Sequence, residues 1–229
     1  MPRKGGIEMA ETGLTRELIC LRAAKELREG MYVNLGIGLP TEVAGFISPD
    51  LEVFLHAENG ILNYGGILSE EEADHEFVNA GGQPVSLKTG ACLFHSGDAF
   101  AMMRGRHLDM SILGAFQVSE KGDVASWKRK EDPLGTVGGA MDLAFGAKRI
   151  LVVMEHTDKG GNPRIVRECT FPLTGREAAN AVITNLAFIE VTPDGLLLKE
   201  VAQGISPEEV QAATEPHLIL SPDLAEMEL

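Results

Sequence analysis

Short apolar runs separated by turn-prone segments constrain the fold of this chain more than any other feature of its sequence. The runs are rich in branched side chains and too short for helices, which is the pattern of buried β-strands. Helical segments and hairpin signals alternate with them, so we predict an α/β fold with a mixed, largely parallel sheet, flanking helices and β-hairpins. The runs lie at residues 31–35, 53–55, 85–87, 109–113, 150–154 and 217–220.

Helix and hairpin signals fill the intervals between these predicted strands. Four leucines fall near one face of a helix predicted over residues 14–30. A second helix is predicted over residues 98–104, with Asp98 as its N-terminal cap. Two hairpins are predicted, with turns at residues 121–123 and 192–195.

The composition argues against several classes of function. The 229 residues carry 34 acidic and 20 basic side chains, and the net charge of −14 argues against a nucleic-acid partner, because phosphate contacts require a basic face. No apolar stretch is long enough to span a membrane, and the three cysteines include no CxxC pair. We therefore expect a soluble, cytoplasmic protein with reduced thiols and no membrane partner.

The chain is expected to form one domain. Residues 1–13 contain basic side chains but no apolar segment of the kind found in signal peptides, so they are predicted to be a flexible leader. A single domain is predicted over residues 14–222, and a C-terminal tail over residues 223–229.

One predicted strand stops abruptly at Glu58, Asn59 and Gly60. Side chains at the carboxyl end of a strand in an α/β domain point into the crevice where ligands bind, so Glu58 is the candidate catalytic residue and Asn59 a candidate substrate contact. The alternative is a surface glutamate in an ordinary Asn-Gly turn. Residues 63–82 follow and are predicted to be a long surface loop that forms one wall of the site.

Two glycine-rich turns precede predicted helices. The first contains Gly36 and Gly38 and leads into a helix through Pro40, so its backbone can approach a ligand closely. It is not a dinucleotide-binding fingerprint, because Thr41 stands where the third glycine would be. A turn that only lets the helix pack on the sheet is an equal alternative.

The second glycine-rich turn contains Gly138, Gly139 and Ala140. Successive free amides at the start of a helix can hold an anion or a developing oxyanion. Close packing of the helix on a strand explains the same glycines equally well.

Residues Lys128, Arg129 and Lys130 form the densest basic run of this acidic chain. They are candidate anion-binding residues, although a solvated surface is the usual explanation for such a run. The six histidines show no metal-binding spacing, and neither a nucleophile elbow nor a P-loop lysine is present, so no metal site is predicted.

Six motifs lie collinearly along the chain and together resemble a known family. They are residues 33–41 (VNLGIGLPT), 58–60 (ENG), 114–118 (GAFQV), 138–142 (GGAMD), 154–157 (MEHT) and 172–175 (PLTG). In this combination they resemble the beta subunit of the 3-oxoacid CoA-transferases, and the resemblance extends from about residue 14 to about residue 222.

The resemblance implies an enzyme that moves CoA from an acyl-CoA, typically succinyl-CoA, to a 3-oxo acid such as acetoacetate or 3-oxoadipate. It implies a separate alpha subunit in a hetero-oligomer. It assigns the nucleophile to Glu58 and the oxyanion donors to Gly138, Gly139 and Ala140, with Gln117 as a further candidate substrate contact. The implied reaction is ping-pong through an acyl-glutamyl anhydride and a glutamyl-CoA thioester, and it needs no cofactor besides the CoA thioester as substrate.

The sequence departs from the family pattern at three places. Ala57 replaces a serine, Gly82 replaces a lysine, and basic residues 128–130 replace a more apolar segment. We hypothesise that the basic run meets CoA phosphates or the distal carboxylate of a dicarboxylic acid. Residues 54–58 and 107–109 resemble the 3-oxoadipate branch more than the acetoacetate branch.

Two other functions stay open at the level of the sequence. One is a sugar-phosphate isomerase-like enzyme that uses Glu58 as a base, because that group shares the general fold. The other is a non-catalytic binding subunit.

Overall fold

A computed structural model describes residues 13–229, and most of these residues are organised around one large sheet. Residues 1–12, and with them nearly all of the predicted leader, lie outside the described residues. The elements, in chain order, are α1 (Arg16–Ala24), β1 (Tyr32–Leu35), α2 (Leu39–Glu42) with a 3-10 turn at Val43–Phe46, β2 (Phe54–Ala57), β3 (Ile61–Ile67), β4 (Val85–Leu93), α3 (Ser96–Arg104), β5 (Met110–Leu113), β6 (Gln117–Ser119), β7 (Val124–Ala125), α4 (Ala140–Gly146), β8 (Arg149–Val153), β9 (Ile165–Val166), β10 (Ala181–Ile183), β11 (Ala187–Thr192), β12 (Gly195–Val201), α5 (Pro207–Ala212) and β13 (Leu218–Glu226).

The large sheet is parallel at its centre and antiparallel on both sides. Its ten strands have the order β13-β12-β11-β10-β8-β5-β1-β2-β3-β4. The neighbours from β10 to β2 are parallel, whereas β3 and β4 on one side and β11 and β12 on the other join through antiparallel pairs. This confirms the predicted mixed, largely parallel sheet. Because the central strands are parallel, β1, β2 and β5 all end at the same edge of the sheet.

Alternate residues of the central strands belong to two different apolar clusters. In β8, Leu151 and Val153 pack in one cluster, while Ile150 and Val152 pack in the other. This is the arrangement of a strand that is covered on both faces. The short, continuously apolar runs in the sequence are explained by this double burial. Among residues 13–229, no helix is long and apolar enough to cross a membrane.

Three local predictions are corrected by the structure. Residues 63–67, predicted to be loop, belong to β3, because β2 and β4 pair with this segment on its two sides. Helix α1 is shorter than predicted and begins after Thr15, whose side chain accepts a hydrogen bond from the Leu18 amide. Helix α3 begins at Ser96 rather than at residue 98, and its cap is His95, whose Nδ1 accepts a hydrogen bond from the Gly97 amide at 3.0 Å.

The C-terminal segment differs from the predicted tail. Strand β13 continues through Glu226, where it pairs in parallel with β12, and Met227 is buried in the core. Residues 223–227 are therefore part of the folded unit. The sequence signal is weak here because Pro222 and Asp223 interrupt the apolar pattern, and the register of the strand pair shifts at this point.

Candidate active site

Glu58 follows β2 directly, at the edge where the parallel strands end. Its side chain is half-buried. The turn behind it requires glycine at Gly60, which has φ +111° and where a Cβ would overlap the Phe94 carbonyl oxygen. The Gly60 amide donates to the Ala57 carbonyl at 3.0 Å, and the Gly60 carbonyl accepts from the Phe94 amide at 2.9 Å. These contacts fix the strand end that carries Glu58.

A cavity of about 250 Å³ opens beside the Glu58 side chain. Within the described part of the chain, Glu58 is the only residue lining this cavity that has an ionisable side chain. The remaining walls come from the ends of β1 and β5 and from the loop that leads into α4. They are formed by Asn34, Leu35, Gly36, Ile37, Ala80, Leu113, Gly114, Ser126, Thr136, Val137, Gly138, Gly139, Ala140 and Leu143.

The turn formed by Gly138 and Gly139 lies directly against the Glu58 carboxylate. A Cβ at Gly139 would overlap Oε2 of Glu58, and a Cβ at Gly138 would lie 3.9 Å from Oε1. The missing side chain at Gly139 therefore makes room for the carboxylate. Of the two explanations that the sequence left open, the structure favours close approach to an anionic group over packing of helix on strand.

Burial raises the pKa of Glu58 above its ordinary value, and the negative charge of Asp142 raises it further. A backbone hydrogen bond from Gly139 acts in the opposite direction and favours the ionised carboxylate. The site therefore holds a partly desolvated carboxylate that one backbone donor keeps in its charged form.

His56 lies on the same strand as Glu58 but is a structural residue. It is fully buried, and burial lowers its pKa to about 4, so it is neutral at physiological pH. The Asn34 amide donates to His56 Nδ1 at 3.1 Å and to the His56 carbonyl at 3.0 Å. These bonds join β1 to β2 and hold Asn34, which lines the cavity, in one orientation.

Five of the sequence-predicted residues meet at the cavity and six do not line it. Glu58, Gly36, Gly138, Gly139 and Ala140 line it. The other six are Asn59, Gly38, Gln117, Lys128, Arg129 and Lys130. Different physical causes keep these six away from the cavity.

Asn59, Gly38 and Gln117 have local structural contacts. The Asn59 side chain donates to the Val78 carbonyl at 2.7 Å and so holds the loop that follows β3. Gly38 has φ +92° and precedes α2. The Gln117 side-chain oxygen accepts hydrogen bonds from the amide of Thr170 at 2.8 Å and from its hydroxyl at 3.2 Å, so it links two loops.

The basic run lies at the start of a loop that returns to the cavity. Arg129 pairs with Asp132 at 2.9 Å and lies over the Phe116 ring, 5.3 Å from its centre. The loop closes where the Thr136 amide donates to the Trp127 carbonyl at 2.9 Å. Thr136 thus reaches the cavity wall, whereas the basic side chains lie outside it.

Sequence reasoning missed two arginines beside the site. A second cavity of about 300 Å³ shares Ile37, Gly114 and Ser126 with the first, and Arg16, Arg164 and Glu155 also line it. Neither arginine belongs to a basic run, so no local signal in the sequence could have indicated them.

Comparisons with known proteins agree with this geometry. The profile of the family described as coenzyme A transferase matches residues 17–213. The beta subunit of the 3-oxoadipate CoA-transferase of Acinetobacter baylyi is 48% identical over 207 residues, which are 90% of this chain and 95% of the relative. The beta subunit of the succinyl-CoA:3-ketoacid coenzyme A transferase of Helicobacter pylori is 44% identical over 200 residues, covering 87% of this chain and 96% of that protein.

The fold has a counterpart among solved structures. The acyl-CoA transferase YdiF of Escherichia coli O157:H7 superposes with a TM-score of 0.75 at 20% identity, covering 96% of this chain and 45% of that chain. This chain thus spans about half of YdiF, and at this identity the likeness shows the fold. The family profile spans most of the sequence, and the bacterial relatives align over nearly their whole length, so this chain belongs to the coenzyme A transferase family.

Proposed function

We propose that this chain is the beta subunit of a 3-oxoacid CoA-transferase and that Glu58 is its nucleophile. One observation carries the proposal: among the described residues, the only carboxylate of the cavity is packed against the Gly139 backbone, at a position where any side chain would displace it. The Acinetobacter and Helicobacter relatives are both named as the beta subunit, which supports a separate alpha subunit that completes the enzyme as a hetero-oligomer.

In the first half-reaction, a Glu58 carboxylate oxygen attacks the thioester carbonyl of the acyl-CoA. The C–S bond breaks, giving an acyl-glutamyl anhydride and CoA thiolate. The thiolate then attacks the glutamyl carbonyl and expels the donor acid as a carboxylate, which leaves a glutamyl-CoA thioester. The acceptor acid runs the same steps in reverse. No proton is gained or lost overall, so thioesters and carboxylates suffice for the chemistry.

The Gly138-Gly139 turn has a specific task in this sequence of steps. When the thiolate attacks the carbonyl carbon of Glu58, one of the glutamate's own oxygens becomes the oxyanion. That oxygen already lies beside the glycine turn in the free chain. Backbone amides in a fixed position stabilise such a charge without reorganisation during the reaction. The Gly138, Gly139 and Ala140 amides are the proposed donors.

Partial burial of Glu58 supports the same mechanism. Desolvation makes the carboxylate more basic and more nucleophilic, while the Gly139 hydrogen bond favours its ionised form. The anhydride and the thioester both hydrolyse in water, so the reaction requires a closed site. We infer that the alpha subunit supplies the missing wall and part of the substrate grip.

Activity of the reconstituted complex tests this proposal. We expect CoA transfer from succinyl-CoA to 3-oxoadipate or acetoacetate with ping-pong kinetics, and Glu58→Gln should lower kcat by at least about 10³-fold because the nucleophile is lost. Glu52→Gln is a matched control, since Glu52 is exposed and lies outside the cavity.

Each alternative has its own outcome in this assay. A sugar-phosphate isomerase would convert its substrate in the absence of CoA. A non-catalytic binding subunit would support full transfer with Glu58→Gln in place. Either result would overturn the proposal.

A further inference from the structure

Helices α3 and α4 are joined by an ion pair close to Glu58. The Arg104 guanidinium Nε donates to Asp142 Oδ1 at 2.6 Å. Asp142 lies in the first turn of α4, three residues after Gly139, and its side chain is only 24% exposed. The pair therefore links the end of α3 to the segment that carries the glycine turn.

The same face of α3 also contacts the glycine turn itself. The Arg104 guanidinium lies over the Phe100 ring, 5.5 Å from its centre. The Phe100 Cζ atom would lie 3.4 Å from a Cβ at Gly139. Phe100 and Arg104 are one helical turn apart, so α3 presents an aromatic ring to Gly139 and a cation to Asp142.

Asp142 is the charged side chain that acts on Glu58. Its negative charge opposes ionisation of the Glu58 carboxylate, and Arg104 is its partner. On β2, His56 is buried and neutral. In the described part of the chain, the remaining walls of the cavity contribute no ionisable side chain. The electrostatic environment of Glu58 therefore depends on whether Asp142 is paired.

We propose that Arg104 is a positioning residue for the transfer reaction: it neutralises Asp142, the acid nearest Glu58, and holds the Gly138-Gly139 turn against the Glu58 carboxylate. This inference rests on the proposed function, because it assumes that Glu58 must be ionised to act as the nucleophile. Arg104 lies at the outer side of α4 and does not line the cavity, so it acts through Asp142 rather than on the substrate.

The two partners make opposite predictions for the pH profile of kcat/KM in the reconstituted complex. Arg104→Gln leaves the Asp142 carboxylate unpaired, so the acidic limb of the profile should move to higher pH. Asp142→Asn removes the negative charge, so the acidic limb should move to lower pH. On the plateau above the limb, kcat/KM of Arg104→Gln should fall by about tenfold through loss of alignment. The double variant should return the limb close to its original position.

Stability measurements separate this role from a structural one. A pair that only fastened two helices would lower the melting temperature in both single variants and shift neither limb, or shift both in the same direction. Arg104→Lys keeps the charge and should retain most of the wild-type profile. Arg106→Gln is a matched control, because Arg106 is exposed and makes no ion pair within the described residues.

The outcomes for the two proposals are distinguishable. Full transfer by Glu58→Gln would overturn the proposed function itself. Loss of transfer in Glu58→Gln, combined with unshifted profiles in Arg104→Gln and Asp142→Asn, would overturn only the positioning role of Arg104. Opposite shifts in the two single variants, with compensation in the double variant, would support it.

Discussion

The two glycine-rich turns at the edge of the sheet have similar sequences, and each contains a glycine that is required for a different physical reason. Gly38 has φ +92°, a conformation that side chains rarely adopt, yet no atom lies within 4 Å of the place where its Cβ would be. Gly139 has φ −86°, which any residue accepts, but a Cβ there would overlap the Glu58 carboxylate. Gly38 thus serves the backbone, and Gly139 makes room for the candidate nucleophile.

The comparison teaches that glycine in a turn before a helix does not identify a ligand site by itself. Conformation and space are independent requirements, and only the second points to chemistry here. Substitutions at the two turns should therefore separate, with one affecting activity and the other affecting stability.

The largest effect is expected for Gly139→Ala. Its methyl group would push the Glu58 carboxylate away from the backbone amides, and kcat/KM should fall by about 10²-fold or more. The melting temperature should change little, because the displaced group is the end of a flexible side chain. Kinetics and thermal unfolding of the reconstituted complex check both statements. Activity within about threefold of the wild type would show that the contact is incidental.

A smaller effect, of the opposite kind, is expected for Gly38→Ala. The alanine would be held in a disfavoured backbone conformation, which costs about 1–3 kcal/mol of stability. Gly45→Ala is the matched control, because Gly45 follows α2 with an ordinary φ and with no atom near its Cβ position. Denaturant unfolding should show a loss for Gly38→Ala only. Equal stability of the two variants would contradict the distinction between the turns.

The smallest effect is expected for replacement of Lys128, Arg129 and Lys130 by alanine. The run lies outside the cavity, although its loop returns to the cavity wall at Thr136. If these charges attract CoA phosphates or a distal carboxylate, the KM for that substrate should rise by about threefold and the rise should shrink in high salt. An unchanged KM for both substrates would remove the run from the binding surface.

The sequence was sufficient for the parts of the site that depend on local pattern. An apolar strand that stops at Glu58 and a glycine turn that opens a helix are both visible along the chain, and the parallel centre of the sheet brings them to one edge. Strand β3 was missed because its residues, including Gly65 and Gly66, have weak strand preference and are held by pairing on both sides.

Contacts between distant segments could not be predicted. Arg104 and Asp142 are 38 residues apart in sequence, and nothing local marks either as a partner of the other. Gln117 lies in a motif of the family, but its side chain bonds to Thr170 in a distant loop. Ser126 and Thr136 reach the cavity only through the path of their loops. Tertiary structure, rather than periodicity, decides such cases.

The central claim is that Glu58 becomes covalently bound to CoA. The direct measurement is mass spectrometry of the peptide that carries Glu58, after the reconstituted complex has been incubated with succinyl-CoA without an acceptor acid. We predict that this peptide gains the mass of CoA less one water, that added acceptor removes the adduct, and that Glu58→Gln never forms it. Active transfer without an adduct on this peptide, or with the adduct on another residue, would contradict the account.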